Sequence, residues 1–166
     1  MNYIFKYTKV NLEFLPNDVD IQIVGYLVDS NNNAFIDPNN QKLDTFIVQA
    51  YKSSLPASGY ESYLSIMANK AITEKYNSTF GGQTVTNSKQ ITRISDTQYI
   101  VPSLIITGNG IPNNTAVLSV RDKNSISISN PATATNQVTF NLSANGWSID
   151  YSEIQNIVNI IDFSAI

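Results

Sequence analysis

Apolar residues recur at every second position through most of this chain, in short runs broken by Asn, Ser, Thr, Gly and Pro, and one long stretch alone changes to a spacing of three and four. That spacing confines the fold to β-sheet with limited helix, because alternation buries one face of a strand while the longer period lines one face of a helix. The opening residues follow the rule with one defect. Tyr3, Phe5 and Tyr7 alternate in one phase, and Val10, Leu12 and Phe14 alternate in the other. A one-residue change of phase would send half of these side chains to the wrong face, so a bulge or bend is expected near Thr8 and Lys9. Pro16 ends this pair of runs, and segment 1–16 is a candidate extended arm.

Further strands are expected at Val19–Val28 (interrupted by Gly25), Leu43–Tyr51, Gln90–Ser95, Gln98–Thr107, Ala116–Arg121, Ser125–Ser129 and Gln137–Leu142. Pro102 places the fourth of these at an edge or breaks it, since proline cannot donate to a ladder. From Ser58 the period lengthens: Tyr60, Tyr63, Leu64, Met67, Ala68, Ala71, Ile72 and Lys75/Tyr76 share one helical face, with Glu61, Asn69, Lys70 and Glu74 outside it. Ser58 and Glu61 have capping-box spacing, and Gly81-Gly82 is read as the stop signal, giving a central helix over about 59–77. Asn145-Gly146 is the preferred dipeptide of a type I′ hairpin, which would pair Ala144 with Trp147, Leu142 with Ile149 and Phe140 with Tyr151. Beyond Ser152, an N-cap candidate, the spacing of Ile154, Ile157, Val158 and Ile161 predicts a short C-terminal helix over about 153–162. The expected fold class is α+β, mostly β: a single β-rich domain over 1–166, built as an antiparallel sandwich or open barrel.

Composition narrows function more than fold. The chain of 166 residues has no histidine and no cysteine, so the usual nucleophilic triads and imidazole acid–base pairs have no residues to be made from. Glu13, Glu61, Glu74 and Glu153 are the only glutamates, and nothing marks two carboxylates as a working pair, so no enzymatic activity and no cofactor are expected. A net charge of −3, with scattered Lys and Arg, argues against nucleic acid as a partner. No apolar run is long enough to span a membrane, and the N-terminus lacks the features of a signal peptide, so synthesis in the cytoplasm is expected. Charged residues make up only 14% of the chain, so neutral polar groups must cover much of its surface. Such a surface loses little on burial against protein.

Asp29, Asn31 and Asn33, with Asp37 close by, occupy the first positions of an EF-hand-like oxygen cage and form a candidate Ca²⁺ site. The match breaks at Ala34, where a glycine is needed, and at Asn40, where a bidentate glutamate is needed, so a turn-forming Asn cluster is the better reading. Nine tyrosines and one tryptophan invite two readings, core or contact surface. Tyr60, Tyr63 and Trp147 fall on faces expected to be buried. Tyr3, Phe5, Tyr7 and Tyr99 are the interface candidates, since a tyrosine ring with a polar tip suits a protein–protein contact.

The closing stretch Asn145-Gly146-Trp147-Ser148 with the Ile-rich Ile154–Ile161, and the Asn-, Ile-, Ser-, Thr- and Tyr-rich composition, resemble small virion proteins of bacteriophages, the crAss-like group among them. The resemblance implies a head, collar or tail subunit, made in the host cytoplasm and located in the virion. Its partners would be copies of itself, in a ring or array, and other virion proteins. No functional residue carries over. The alternative from the residues themselves is a surface module that recognises glycan or protein through the loops Asp29–Asn40 and Gly108–Asn114.

Overall fold

The computed structural model describes residues 2–166. In chain order the elements are β1 (Asn2–Leu15), β2 (Asp18–Val28), β3 (Phe46–Tyr51), α1 (Tyr60–Tyr76), β4 (Ser78–Thr84), β5 (Gln90–Ile91), β6 (Ile105–Gly108), β7 (Thr115–Asp122), β8 (Ser125–Ile128), β9 (Asn136–Ser143), β10 (Ser148–Asp150) and α2 (Glu153–Ile160). Mostly β with two helices, the chain has the α+β class its spacing predicts. Two compact units form among the described residues: 2–75 with 148–166, and 76–147.

The first unit is a four-stranded sheet in the order β10-β1-β2-β3, antiparallel except for β10, which lies parallel to β1. The β1·β2 register shifts between Tyr7 and Lys9, where the change of phase requires a bulge. Because of that shift, Phe5 faces Leu27 while Val10, Leu12 and Phe14 face Ile23, Ile21 and Val19, so both apolar sets lie on one side of the sheet. Val48 and Ala50 of β3 continue this face opposite Ile23 and Ile21. Leu64, Ala68 and Ile72 of α1 and Ile154 and Ile157 of α2 are buried, while Glu61, Asn69, Lys70 and Glu74 stay exposed as the helical period predicts.

Several local contacts tie the helices down. The Lys6 ammonium meets the Glu153 carboxylate at 2.8 Å, and Lys75 meets Asp44 at 2.8 Å. Tyr60 stacks on Phe163 with ring centroids 4.3 Å apart, and the Tyr151 hydroxyl donates to Asn69 Oδ1 at 3.0 Å. The capping details differ from expectation. Gly59, at φ +78, precedes the first residue of α1, so Ser58 stands one position too early for a capping box. Ser152 has helical backbone and makes no side-chain cap; the Asp150 carboxylate instead accepts its N–H at 2.8 Å.

The second unit is a six-stranded sheet, β4-β9-β6-β7-β8-β5, antiparallel throughout. It curls until its two ends meet, where Gln83 and Thr92 exchange backbone hydrogen bonds at 2.7 and 3.0 Å. Its interior holds Ile91, Ile106, Val117, Ile126, Ile128, Phe140 and Leu142. Gly81-Gly82 does not stop the helix, which ends at Tyr76, but lies within β4. A side chain at Gly82 would come within 2.8 Å of Ile91 Cγ2 and 3.0 Å of Phe140 Cε1, so the glycine admits these two core residues. Two expected strands are cut short by left-handed residues: Arg93 at φ 56 follows the end of β5, and Ser103 at φ 71 delays β6 until Ile105.

The Asn145-Gly146 hairpin does not form. The dipeptide makes a turn, with Trp147 N–H donating to the Ala144 carbonyl at 3.0 Å, but β9 pairs with β4 and β6, and β10 pairs with β1. Neither Asn145 nor Gly146 takes the left-handed backbone of a type I′ turn, and the strands on either side do not pair with each other. Gly146 is needed for a different reason: a Cβ there would meet Ile105 Cγ1 at 2.9 Å. Asn145→Ala is therefore expected to change stability by less than about 0.5 kcal/mol, whereas at a left-handed turn position it would cost roughly 1–2 kcal/mol. Urea denaturation of this variant distinguishes the two.

Candidate functional site

Tyr3 and Phe5 are core residues, 2% and 0% exposed, which corrects their reading as surface anchors. Tyr3 lies edge-on to Phe35 at 5.0 Å, and Phe5 packs between Phe46 at 6.1 Å and Tyr151 at 6.0 Å. The covering residues Phe46 and Tyr151 come from far along the chain, so local alternation could not reveal the burial. Tyr7 is half-exposed beside the bulge, and Tyr99 is 53% exposed in the second unit.

The proposed Ca²⁺ cage is a braced turn. Asp29 Oδ1 accepts the N–H groups of Asn31 and Asn33, both at 2.9 Å, and Asp37 Oδ1 accepts that of Asn39 at 2.8 Å. These donors hold the Asp29 carboxyl below its ordinary pKa, the Asn33 N–H contributing most, and Asn32 closes the turn at φ 63. The loop before β7 is similarly self-satisfied: the Thr115 hydroxyl donates to the Pro112 carbonyl at 2.6 Å. Among the described residues no group of three acidic side chains is placed to hold a metal.

The feature that local reading missed is the outer edge of β1. β10 pairs only with Asn2–Ile4, so among the described residues no strand lies beside β1 from Phe5 to Leu15 on that side. β3 reaches only as far as Asp20 on β2, so the end of the β1·β2 hairpin runs beyond the rest of the sheet. Lys9, Asn11 and Glu13 lie on one face of this free edge, opposite Val24, Gln22 and Asp20 of β2. On the other face Phe14 is 68% exposed, and a groove of about 340 Å³ beside it is lined by Phe14, Leu15, Val19, Lys52, Ser53 and Ile166. The turn end of the hairpin is held by Asp18, whose carboxylate accepts the Ser53 hydroxyl, the Ser53 N–H at 3.0 Å and the Val19 N–H at 2.8 Å. Ser53 is the main reason the Asp18 carboxyl sits below its usual range.

Asp20, opposite Glu13, is 5% exposed. Its Oδ2 accepts the side-chain amides of Gln22 and Gln49, each at 2.9 Å, and its Oδ1 is buried without a protein partner. No protein-family model matches this chain, and neither curated proteins nor solved structures yield a match. An edge of this kind offers backbone N–H and C=O groups in register, which is the chemistry of strand addition.

Titration should act on stability here. Turn and hydrogen-bond donors lower the pKa of Asp18, Asp29, Asp122, Asp150 and Asp162, and the Lys6 contact lowers that of Glu153. A carboxyl with a lowered folded-state pKa stabilises above its unfolded value and loses that contribution as pH falls through the folded value. We expect the melting temperature to hold from about pH 7 to about pH 5 and to fall steadily below about pH 4. A melting temperature that stays flat to about pH 2 would contradict this.

Proposed function

We propose that this chain is a non-enzymatic structural subunit of a phage virion, of the head, collar or tail, acting through repeated contacts with copies of itself and with other virion proteins. The observation that carries the reading is the outer edge of β1, which among the described residues has no strand beside it from Phe5 to Leu15 and carries the exposed Phe14 near its end. A long edge strand in a monomer is a liability unless its backbone groups have a destined partner. The lightly charged surface supports the same reading, since Asn, Ser and Thr pair across a joint at small desolvation cost. The phage setting follows from the resemblance of the C-terminal stretch and the composition. Native mass spectrometry and negative-stain microscopy test the reading: discrete oligomers, rings or arrays are expected, and a strict monomer at high concentration would overturn it.

A surface module for glycan or protein is the second reading, favoured by a groove of about 380 Å³ between β3 and α1 that presents Tyr51, Tyr63 and Met67 with Lys70 and Glu74. A monomer that binds on a glycan array would select it.

A further inference from the structure

We infer that β1 pairs with β1 of a second copy of this chain, antiparallel and centred on Asn11, so that two four-stranded sheets join across a two-fold axis. The inference rests on the assembly reading above and supplies its partner and its register. In an antiparallel pair centred on Asn11, Asn11 faces itself, Lys9 faces the second copy's Glu13, and Glu13 faces its Lys9. Lys9, Asn11 and Glu13 share one face of β1, so both charge pairs form on the same side of the joint. On the other face Val10 meets Leu12 of the second copy, and the exposed Phe14 comes over the segment at the bulge.

The charges decide between a protected edge and a pairing edge. Charges such as Lys9 and the neighbouring bulge blunt an edge against indiscriminate pairing, and only a strand that complements the charges can join it. Here opposite charges stand two residues either side of Asn11, an arrangement that complements itself only in an isologous, two-fold contact. Lys9 and Glu13 are exposed, and neither takes part in the two ion pairs found among the described residues. Glu13 gains most, because it lies opposite the buried Asp20 carboxylate within its own sheet and would acquire a cation on its free side. Moving the centre by one residue in either direction would put Lys9 or Glu13 opposite an uncharged residue, so the charges also set the register.

Charge swaps and a cysteine test this. In low salt Lys9→Glu and Glu13→Lys should each weaken self-association by about tenfold or more, by sedimentation equilibrium, with far-UV circular dichroism unchanged. The two variants mixed should co-purify through a tag on one of them, because every charge pair across the joint is then opposite in sign. Asn11→Cys, in a chain with no other cysteine, should form a disulfide-linked dimer on mild oxidation, while Glu13→Cys, which faces Lys9, should not. If the wild type oligomerises while both swaps leave its affinity unchanged and Asn11→Cys does not cross-link, this pairing is overturned and the assembly reading stands. A wild type that stays monomeric at about 100 μM overturns both.

Discussion

Replacing Phe5 by alanine is expected to lower the free energy of unfolding by about 3–5 kcal/mol, a large share of the stability of a domain this size. Phe5 is 0% exposed, and its ring meets Phe46 and Tyr151. Truncation would leave a cavity that β1 and β2 cannot close, because their ladder fixes their separation. The ring also explains a glycine: a Cβ on Gly25 would stand 2.6 Å from Phe5 Cε2 and 2.9 Å from Phe46 Cε2. Gly25→Ala alone should therefore be destabilising, and it should cost distinctly less when Phe5 is already alanine, because the added methyl then enters vacated space. Urea denaturation of the four chains in this cycle measures the coupling. Additive costs would show that Phe5 does not press on Gly25, and a Phe5→Ala protein of wild-type stability would show that Phe5 is not a core residue.

Phe140→Ala is expected to have a similar effect in the second unit, about 3–5 kcal/mol. Phe140 is 0% exposed and stacks on Phe80 with centroids 6.0 Å apart. Its ring and backbone also fill the space in front of Gly82 and Gly108. The loss is measurable through Trp147, the single tryptophan, which is buried in the same unit and donates from Nε1 to the Ser103 carbonyl at 2.9 Å. The denaturation midpoint from its fluorescence should fall with little change in m-value. An unchanged midpoint would mean that the six-stranded sheet does not depend on this ring.

Much of the fold could be read from spacing alone. The bulge follows from the changed phase of Val10, Leu12 and Phe14, and the wet face of α1 follows from the positions of Glu61, Asn69, Lys70 and Glu74. The C-terminal helix follows from the spacing of Ile154 and Ile157. β4 could not be found this way, because Ser78–Thr84 has one large apolar residue, Phe80, and two glycines, of which Gly82 makes room for Ile91 and Phe140. The hairpin at Asn145-Gly146 misled for a related reason: the dipeptide specifies a turn, and the strands available nearby decide where the chain goes after it.

The candidate site was legible only in part. The sequence carries Lys9, Asn11 and Glu13 at a spacing that complements its own reversal, but complementarity means nothing until that strand has a free side. Local order, one period per element and one phase per face, was determined by the sequence by itself, because side-chain direction repeats with the backbone. Tertiary structure alone decided which strands became neighbours, burying Tyr3 beside β10 and Phe5 against Phe46 and Tyr151, and leaving no strand paired to the outer edge of β1 beyond Ile4 among the described residues. Strand pairing depends on backbone hydrogen bonds that every residue but proline can make, so the choice of partner rests on packing between residues far apart in the chain.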